Sequence, residues 1–288
     1  MSATRIGILH PGAMGISIAA AAQNAGNQVM WASAGRSEAT RKRASEHGLL
    51  DAGTVARLCA EVDIVASVCP PHAAEDIANQ VLAAGFGGTF LDANAIAPQR
   101  AQRIGQAMEQ AGIAFVDGGI IGGPAWKPGT VLYLAGRQAG EVAACFSAGP
   151  LETRVLGPAV GRASALKMCY AAYSKGTTAL LCAVLAAAER SGVRDELFAQ
   201  WAGEEAGKDR REAQRVRGVT AKAWRFAGEM DEIAATFRAA GLPGEFHAAA
   251  AMLYRRLAGF KDTPATPALD AVLAALVNDP RIHANGRE

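Results

Sequence analysis

The stretch that decides the fold is Arg5-Ile6-Gly7-Ile8-Leu9-His10-Pro11-Gly12-Ala13-Met14-Gly15. Ile6–Leu9 is a short apolar run of the kind that forms a buried strand. Gly12 and Gly15 follow at the spacing of a turn opening into a helix, Ile16 to Ala25, which stops at Gly26. Strand, glycine-rich turn and helix in this order begin a dinucleotide-binding unit. Glycine lets the backbone approach a pyrophosphate, and the helix N-terminus offers it unpaired N–H groups and a partial positive charge. The usual G-x-G-x-x-G has glycine where this chain has His10, and Pro11 biases His10 toward extended geometry. His10 is therefore either a structural residue or part of the pocket lining, and its titration range singles it out.

The 288 residues suffice for one large domain or two moderate ones. Half of them are hydrophobic, which excludes global disorder and predicts a large core. A net charge of +2 implies no polyanionic partner. Cys59, Cys69, Cys145, Cys169 and Cys182 are scattered through apolar segments without metal-type spacing, so they read as reduced core thiols of a cytoplasmic protein, and no metal site is expected. No signal peptide is read at the N-terminus, and the longest apolar run, Thr177–Ala188, is too short to span a bilayer.

Gln28–Ala32 reads as a second strand. An NAD site usually has an acid at its end, bonding the ribose hydroxyls. Here the chain has Ser33-Ala34-Gly35-Arg36-Ser37, with no acid before Glu38. Two hydroxyls and a guanidinium suit a 2′-phosphate, so Ser33, Arg36 and Ser37 predict NADP over NAD. Further strands are read at Asp63–Val68, Thr89–Leu91, Ile113–Val116, Thr130–Ala135 and Thr153–Leu156, with helices from about His72 to Ala83 and Pro98 to Gln110. This alternation predicts an α/β fold: a Rossmann-type, doubly wound, mostly parallel sheet over residues 1–160. Its ligand belongs at the C-terminal strand ends, which are Gly-, Pro- and Asn-rich.

The pattern then changes to all-helical over 161–288. One long helix, roughly 40 Å at 1.5 Å per residue, is read over 161–190. Helices follow at Asp195–Gly203, Lys208–Ala240 with a break near Gly218, Gly244–Leu257 and Leu269–Val277, then a polar tail, Asp279–Glu288. Trp224, Phe237 and Phe246 fall on the helical period and read as core or subunit interface. The basic stretch Lys208–Arg225 reads as a solvated face; without interleaved aromatics it does not suggest nucleic acid.

Together, Gly12-Ala13-Met14-Gly15, Asp92–Pro98, Asp117–Gly123 and the helix start Gly161-Arg162-Ala163-Ser164-Ala165-Leu166-Lys167 resemble the β-hydroxyacid dehydrogenase superfamily, in a branch with its own C-terminal helical domain. The resemblance implies that Gly12, Ala13, Met14 and Gly15 hold the pyrophosphate and that Pro70 and Asn94 lie along the nicotinamide. Gly122 and Gly123 would offer N–H groups to a small polar or anionic substrate. Lys167 would be the general acid/base, in a cleft between the domains, and the helical domains would pair into a homodimer.

Two departures stand out. The family commonly has Ser or Thr at the position of Ile121, and Asn at that of Ala171. Tyr170, Ser174 and Lys175 are candidate replacements: Lys167, Tyr170 and Ser174 lie at i, i+3 and i+7, and Lys175 is a candidate anion anchor. Alternatives are an imine reductase of the same plan and a non-catalytic NADP sensor.

Overall fold

The computed structural model describes residues 3–277, so the polar tail read at 279–288 lies outside the described residues. The chain divides between Tyr170 and Ala171 into two compact units. The first is an eight-stranded sheet flanked by helices. Its strands are β1 (Arg5–Ile8), β2 (Gln28–Trp31), β3 (Leu50–Asp51), β4 (Ile64–Ser67), β5 (Thr89–Asp92), β6 (Ala114–Ile121), β7 (Thr130–Ala135) and β8 (Leu151–Val155). Its helices are α1 (Ala13–Asn24), α2 (Glu38–Glu46), α3 (Val55–Glu61), α4 (Ala74–Ala83), α5 (Pro98–Gln110), α6 (Ala139–Ala144) and the start of α7 (Arg162–Arg190).

The strand order is β3-β2-β1-β4-β5-β6-β7-β8. All neighbours are parallel except β6 and β7, which form a hairpin. Alternation along the strands builds the core on both faces. Ile6, Ile8, Val29, Trp31, Ile64, Ala66 and Leu91 pack on one face with Ile16, Ala19 and Phe146. Met30, Ala32, Val65, Phe90 and Phe115 pack on the other with Leu58, Ile77, Val81 and Ile104. The fold is thus the Rossmann-type α/β sheet followed by helices that the sequence predicts.

Two features of the sheet differ from expectation. β3 is only two residues long and pairs beside β2, Trp31 opposite Asp51. The strand read at Ile113–Val116 is longer: β6 continues through Asp117-Gly118-Gly119-Ile120-Ile121 and pairs with β7. The glycines serve packing. A Cβ on Gly119 would lie 2.6 Å from the Ala163 carbonyl oxygen and 3.2 Å from Lys167 Cβ, so α7 rests directly on the bare strand.

The second unit comprises the rest of α7 with α8 (Arg194–Glu204), α9 (Lys208–Ala239), α10 (Glu245–Arg256) and α11 (Leu269–Val277). α9 runs unbroken through Gly218, where a Cβ would meet open space; a mid-helix glycine costs only about 1 kcal/mol. Ala227, Met230, Ile233 and Ala234 are buried at helical spacing, whereas Trp224 and Phe246, read as core or subunit interface, are substantially exposed. The basic stretch is partly engaged: Lys208 pairs with Glu204, Arg211 with Glu205, and Arg217 donates to the Pro267 carbonyl. Of the cysteines, all free, Cys59 and Cys182 are buried, Cys69 and Cys145 half-buried, and Cys169 is exposed rather than core. α7 is, by length and composition, apolar enough to cross a membrane, a wider window than the run read from the sequence; half of that window is buried, and core helices of soluble proteins pass the same test.

Because the atom facing Gly119 is backbone, Gly119→Ala is expected to lower stability by about 1–3 kcal/mol in urea unfolding, whereas Gly123→Ala, with open space around it, leaves the midpoint unchanged.

Candidate active site

The C-terminal ends of β1, β2, β4, β5 and β6 carry the candidate residues of the first unit. At β1 the chain turns tightly. Gly12 N–H donates to the His10 carbonyl (2.8 Å), and Ile16 N–H to that of Gly12 (2.9 Å). A Cβ on Gly15 would stand 2.1 Å from the His10 carbonyl oxygen, so this glycine is required by the turn itself. Gly12 is different: its φ of −71° suits any residue, and a Cβ there would meet nothing within 4 Å. No side chain caps α1, and no acid lies in its first turn. An uncapped helix start behind a bare backbone is a cradle for a dinucleotide pyrophosphate.

The region after β2 is more committed than its composition suggests. The Ser33 hydroxyl bonds Asp51, the last residue of β3. Partial burial pushes Asp51 up, but the bonds from Ser33 and the Gly53 N–H outweigh it, and its pKa lies below the usual carboxylate value. The Ser37 hydroxyl caps α2, accepting from Thr40 N–H (3.3 Å) and sharing a bond with the Thr40 hydroxyl (3.0 Å). Arg36 is half-buried and its Nε has no hydrogen-bond partner. Of the three residues chosen for a 2′-phosphate, Arg36 is the one with an unsatisfied donor. Arg43 donates to the Pro11 carbonyl (3.2 Å), tying α2 to the turn.

At β4 and β5 the polar groups bond each other. Asn94 Oδ1 accepts from Cys69 N–H (2.6 Å), its Nδ2 donates to Ser67 Oγ (3.0 Å), and its N–H donates to Asp92 Oδ1 (2.9 Å). Asn94 is thus a buried brace between strand ends, with both side-chain polar atoms already bonded. Pro70 sits beside it, capping one turn of 3₁₀ helix at Pro71–Ala73.

Asp117 on β6 is the most heavily bonded side chain of the site. Its Oδ2 accepts N–H groups of Gly161 (2.9 Å), Ala163 (2.9 Å) and Ser164 (3.1 Å), and its Oδ1 accepts the Ser164 hydroxyl (2.5 Å). It therefore caps α7 from a distant strand. Burial pushes its pKa up; the four bonds oppose that rise. Asp92 lies opposite it in the β5–β6 register and is pushed up to about 7, first by burial and then by the charge of Asp117, with the Asn94 bonds pulling the other way. Asp92 Oδ2 has no partner.

On the second turn of α7 Lys167 is half-buried, and its ammonium donates to the Ile120 carbonyl (2.7 Å). Tyr170, three residues on, is half exposed. Gly122 has φ +125°, and a Cβ there would strike the Thr130 hydroxyl; Thr130 in turn donates to the Gly123 carbonyl (2.7 Å). The loop beyond them is pinned to α1 and α2: Ala125 N–H donates to Ser17 Oγ (2.9 Å), and Trp126 stacks on His47 with centroids 5.1 Å apart.

Ser174 and Lys175 belong to the second unit. The Lys175 ammonium pairs with the Glu229 carboxylate, both largely buried, and stands 4.6 Å over the Phe226 ring. Its charge is compensated there, which corrects its reading as an anion anchor. Ser174 accepts from the hydroxyls of Thr177 (3.4 Å) and Thr178 (3.0 Å) through its carbonyl. Asp51 and the capping role of Asp117 were missed by sequence reasoning. A two-residue strand carries no periodicity, whereas Asp117 was visible within its motif, but not its partner 47 residues away.

These strand-end elements define a nicotinamide-dinucleotide-binding domain. Residues 5–146 match the family described as the NAD binding domain of 6-phosphogluconate dehydrogenase, and residues 188–257 match a domain of unknown function (DUF1932). The chain belongs to the β-hydroxyacid dehydrogenase superfamily, in a branch with a C-terminal helical domain. An uncharacterised 28.5 kDa protein in the 7S RNA 5′ region of Methanothermus fervidus is 32% identical over 169 residues, 57% of this chain and 63% of that protein, so the match spans less than two thirds of this relative. Two solved structures share the fold over nearly the whole chain. Mycobacterium tuberculosis 3-hydroxyisobutyrate dehydrogenase with L-serine is 19% identical, at TM-score 0.67, covering 96% of this chain and 100% of that one. The Aspergillus terreus reductive aminase with NADPH, cyclohexanone and allyl amine is 20% identical, at TM-score 0.55, covering 94% and 99%.

Asp92 is the group whose titration the fold exposes to measurement. A carboxyl raised in the folded state favours the protonated form, so its contribution is present at low pH and lost as pH rises from about 4 through about 7. Asp92→Asn, which keeps an acceptor for the Asn94 N–H, is expected to be no more stable than wild type at pH 4 and more stable at pH 8, by on the order of 2–4 kcal/mol in denaturant titrations.

Proposed function

We propose that this chain is an NADP-dependent dehydrogenase or reductase acting on a small carbonyl or hydroxyl substrate, with Lys167 as general acid/base. The observation that carries this reading is the placement of Lys167. Its ammonium is held at the Ile120 carbonyl, at the C-terminal end of the sheet, by a helix whose start is fastened to Asp117. When bound, the reduced nicotinamide supplies a hydride. Hydride arrival at a carbonyl carbon leaves an alkoxide, and Lys167 stabilises and protonates it; in the oxidative direction the neutral amine takes the proton. Gly12, Ala13, Met14 and Gly15 present backbone to the pyrophosphate, with Pro70 and Asn94 along the nicotinamide side. Gly122 and Gly123 bind a polar or anionic end of the substrate through N–H groups. Tyr170, one turn beyond Lys167, assists at the reacting oxygen.

NADP is preferred because Arg36 brings an unsatisfied guanidinium donor to the end of β2, beside the N-terminus of α2. The reading includes a cytoplasmic homodimer. Its support is the exposed apolar stripe Tyr173, Leu180 and Val184 on α7, at i, i+7 and i+11.

C=N reduction on the same plan is a second reading, favoured by Ile121: a half-exposed apolar side chain stands beside Gly122 where hydroxyacid enzymes commonly carry a hydroxyl. NADPH oxidation with a ketone alone, against ketone plus amine, separates the two. Lys167→Met is expected to lower turnover roughly 10²–10⁴-fold with cofactor affinity unchanged; full turnover in this variant would remove Lys167 from the mechanism, and full loss of cofactor binding would mean the residue is structural. Arg36→Ala is expected to weaken NADPH roughly tenfold or more in fluorescence titration while leaving NADH unchanged; equal weakening of both, or of neither, would refute the 2′-phosphate assignment.

A further inference from the structure

His10 is the residue of the cofactor turn that none of these roles uses. Its main chain is fixed from several sides. Its carbonyl accepts from Gly12 N–H (2.8 Å) and faces Gly15, and the next residue, Pro11, is held through its own carbonyl by Arg43. The side chain therefore leaves β1 at a set point between the segments that follow the two neighbouring strands. One neighbour is β2, followed by Ser33 and Arg36; the other is β4, followed by Cys69. His10 Nδ1 is buried there without a hydrogen-bond partner, and so is Arg36 Nε. Two unsatisfied polar atoms within electrostatic reach of each other, at the ribose end of a dinucleotide cradle, mark a place where a polar ligand group completes the bonding.

We propose that His10 is a cofactor-binding residue that takes up a proton when the adenosine 2′-phosphate binds, so that it and Arg36 form a two-cation clamp on that phosphate. The inference rests on the NADP reading above. Without ligand, burial, aided by the charge of Arg36, holds His10 down to about 4, so it is neutral at pH 7. The other charged or titratable groups on the segments beside it are Arg43, on the Pro11 carbonyl; Cys69, whose thiol is pushed up to about 12 by burial; Arg100 and Asp92, which act on Cys69; and Asp51, which is bonded to Ser33. Arg36 is the charge that acts on His10, and it disfavours the imidazolium; among the described residues no carboxylate is paired with His10 to compensate it. A phosphate dianion supplies that compensation, and it reverses the effect of Arg36 by neutralising it. NADH carries a hydroxyl at that position, which bonds the neutral imidazole as a donor and calls for no proton. In this way one side chain presents a different protonation state to each cofactor.

The test is calorimetric titration of the whole protein with NADPH and with NADH at pH 7, in two buffers of different ionisation enthalpy, for wild type and His10→Asn. The expected result is net proton uptake with NADPH in wild type, none with NADH, and loss of the uptake in His10→Asn together with several-fold weaker NADPH binding. NADPH affinity of wild type should also fall several-fold between pH 6 and pH 8, more steeply than that of the variant. Proton uptake equal in wild type and His10→Asn, with NADPH still preferred, would overturn the proposal for His10 and leave the NADP reading standing. NADPH binding no tighter than NADH in wild type would overturn both. Retained NADH binding in His10→Asn shows that the turn is folded; its loss, with near-native stability by circular dichroism, would make His10 a structural residue of the turn and overturn the proposal.

Discussion

The structure of the site depends on one carboxylate. Asp117 collects three backbone N–H groups and a hydroxyl from the first turn of α7. Those N–H groups are ones that a helix cannot satisfy internally, and they carry the positive end of the helix dipole. Burying a carboxylate costs several kcal/mol, and four charge-assisted bonds offset roughly that much. The net contribution to stability is therefore modest, and the positional consequence is large. α7 can start at only one height over β6, and the bare backbone at Gly118 and Gly119 lets it come close. Lys167 follows one turn later and reaches the Ile120 carbonyl on the same strand. Strand, cap and lysine form a closed loop of constraints, each reachable from the others through a few bonds.

The neighbouring strand shows what happens to a carboxyl without such a partner. Asp92 and Asp117 stand opposite each other in adjacent strands, both buried. Two buried negative charges on adjacent strands repel each other in a low dielectric, and the N–H groups at the start of α7 bond Asp117. The helix goes to Asp117. Asp92 receives one backbone N–H and keeps an unpartnered oxygen, and burial with the charge of Asp117 pushes its pKa up to about 7. The asymmetry comes from topology rather than from residue type, since the two side chains are identical.

The same distinction explains what could be read from the residues. The first strand, its turn and helix, the sheet's mostly parallel character, and the long helix at 162–190 were legible because each rests on a local pattern. β3 was not, because two residues have no period; with it went Asp51 and the engagement of Ser33. The strand read at Ile113–Val116 stops short of Asp117–Ile121 because glycine pairs usually signal turns. Here they mark a helix lying on a strand, a fact that resides in residues 163–167. Lys175 looked like a free anchor because its partner Glu229 lies 54 residues on. In each miss a long-range contact overrode a sound local inference.

The turn after β1 separates two reasons for glycine that a motif merges. Gly15 is dictated by the chain itself, because any side chain would enter the His10 carbonyl. His10 and Pro11 stand where the common fingerprint has its first glycine and the residue after it, and the turn still closes through the Gly12 N–H bond to His10. The first glycine is thus dispensable for closure in this chain, and its place is free for a side chain with chemistry of its own. Gly12 is constrained by nothing in the protein: its backbone angles are ordinary and its Cβ position is open. A bare backbone there gains its value only from something outside the chain that must come close, and the uncapped first turn of α1 makes that something an anion.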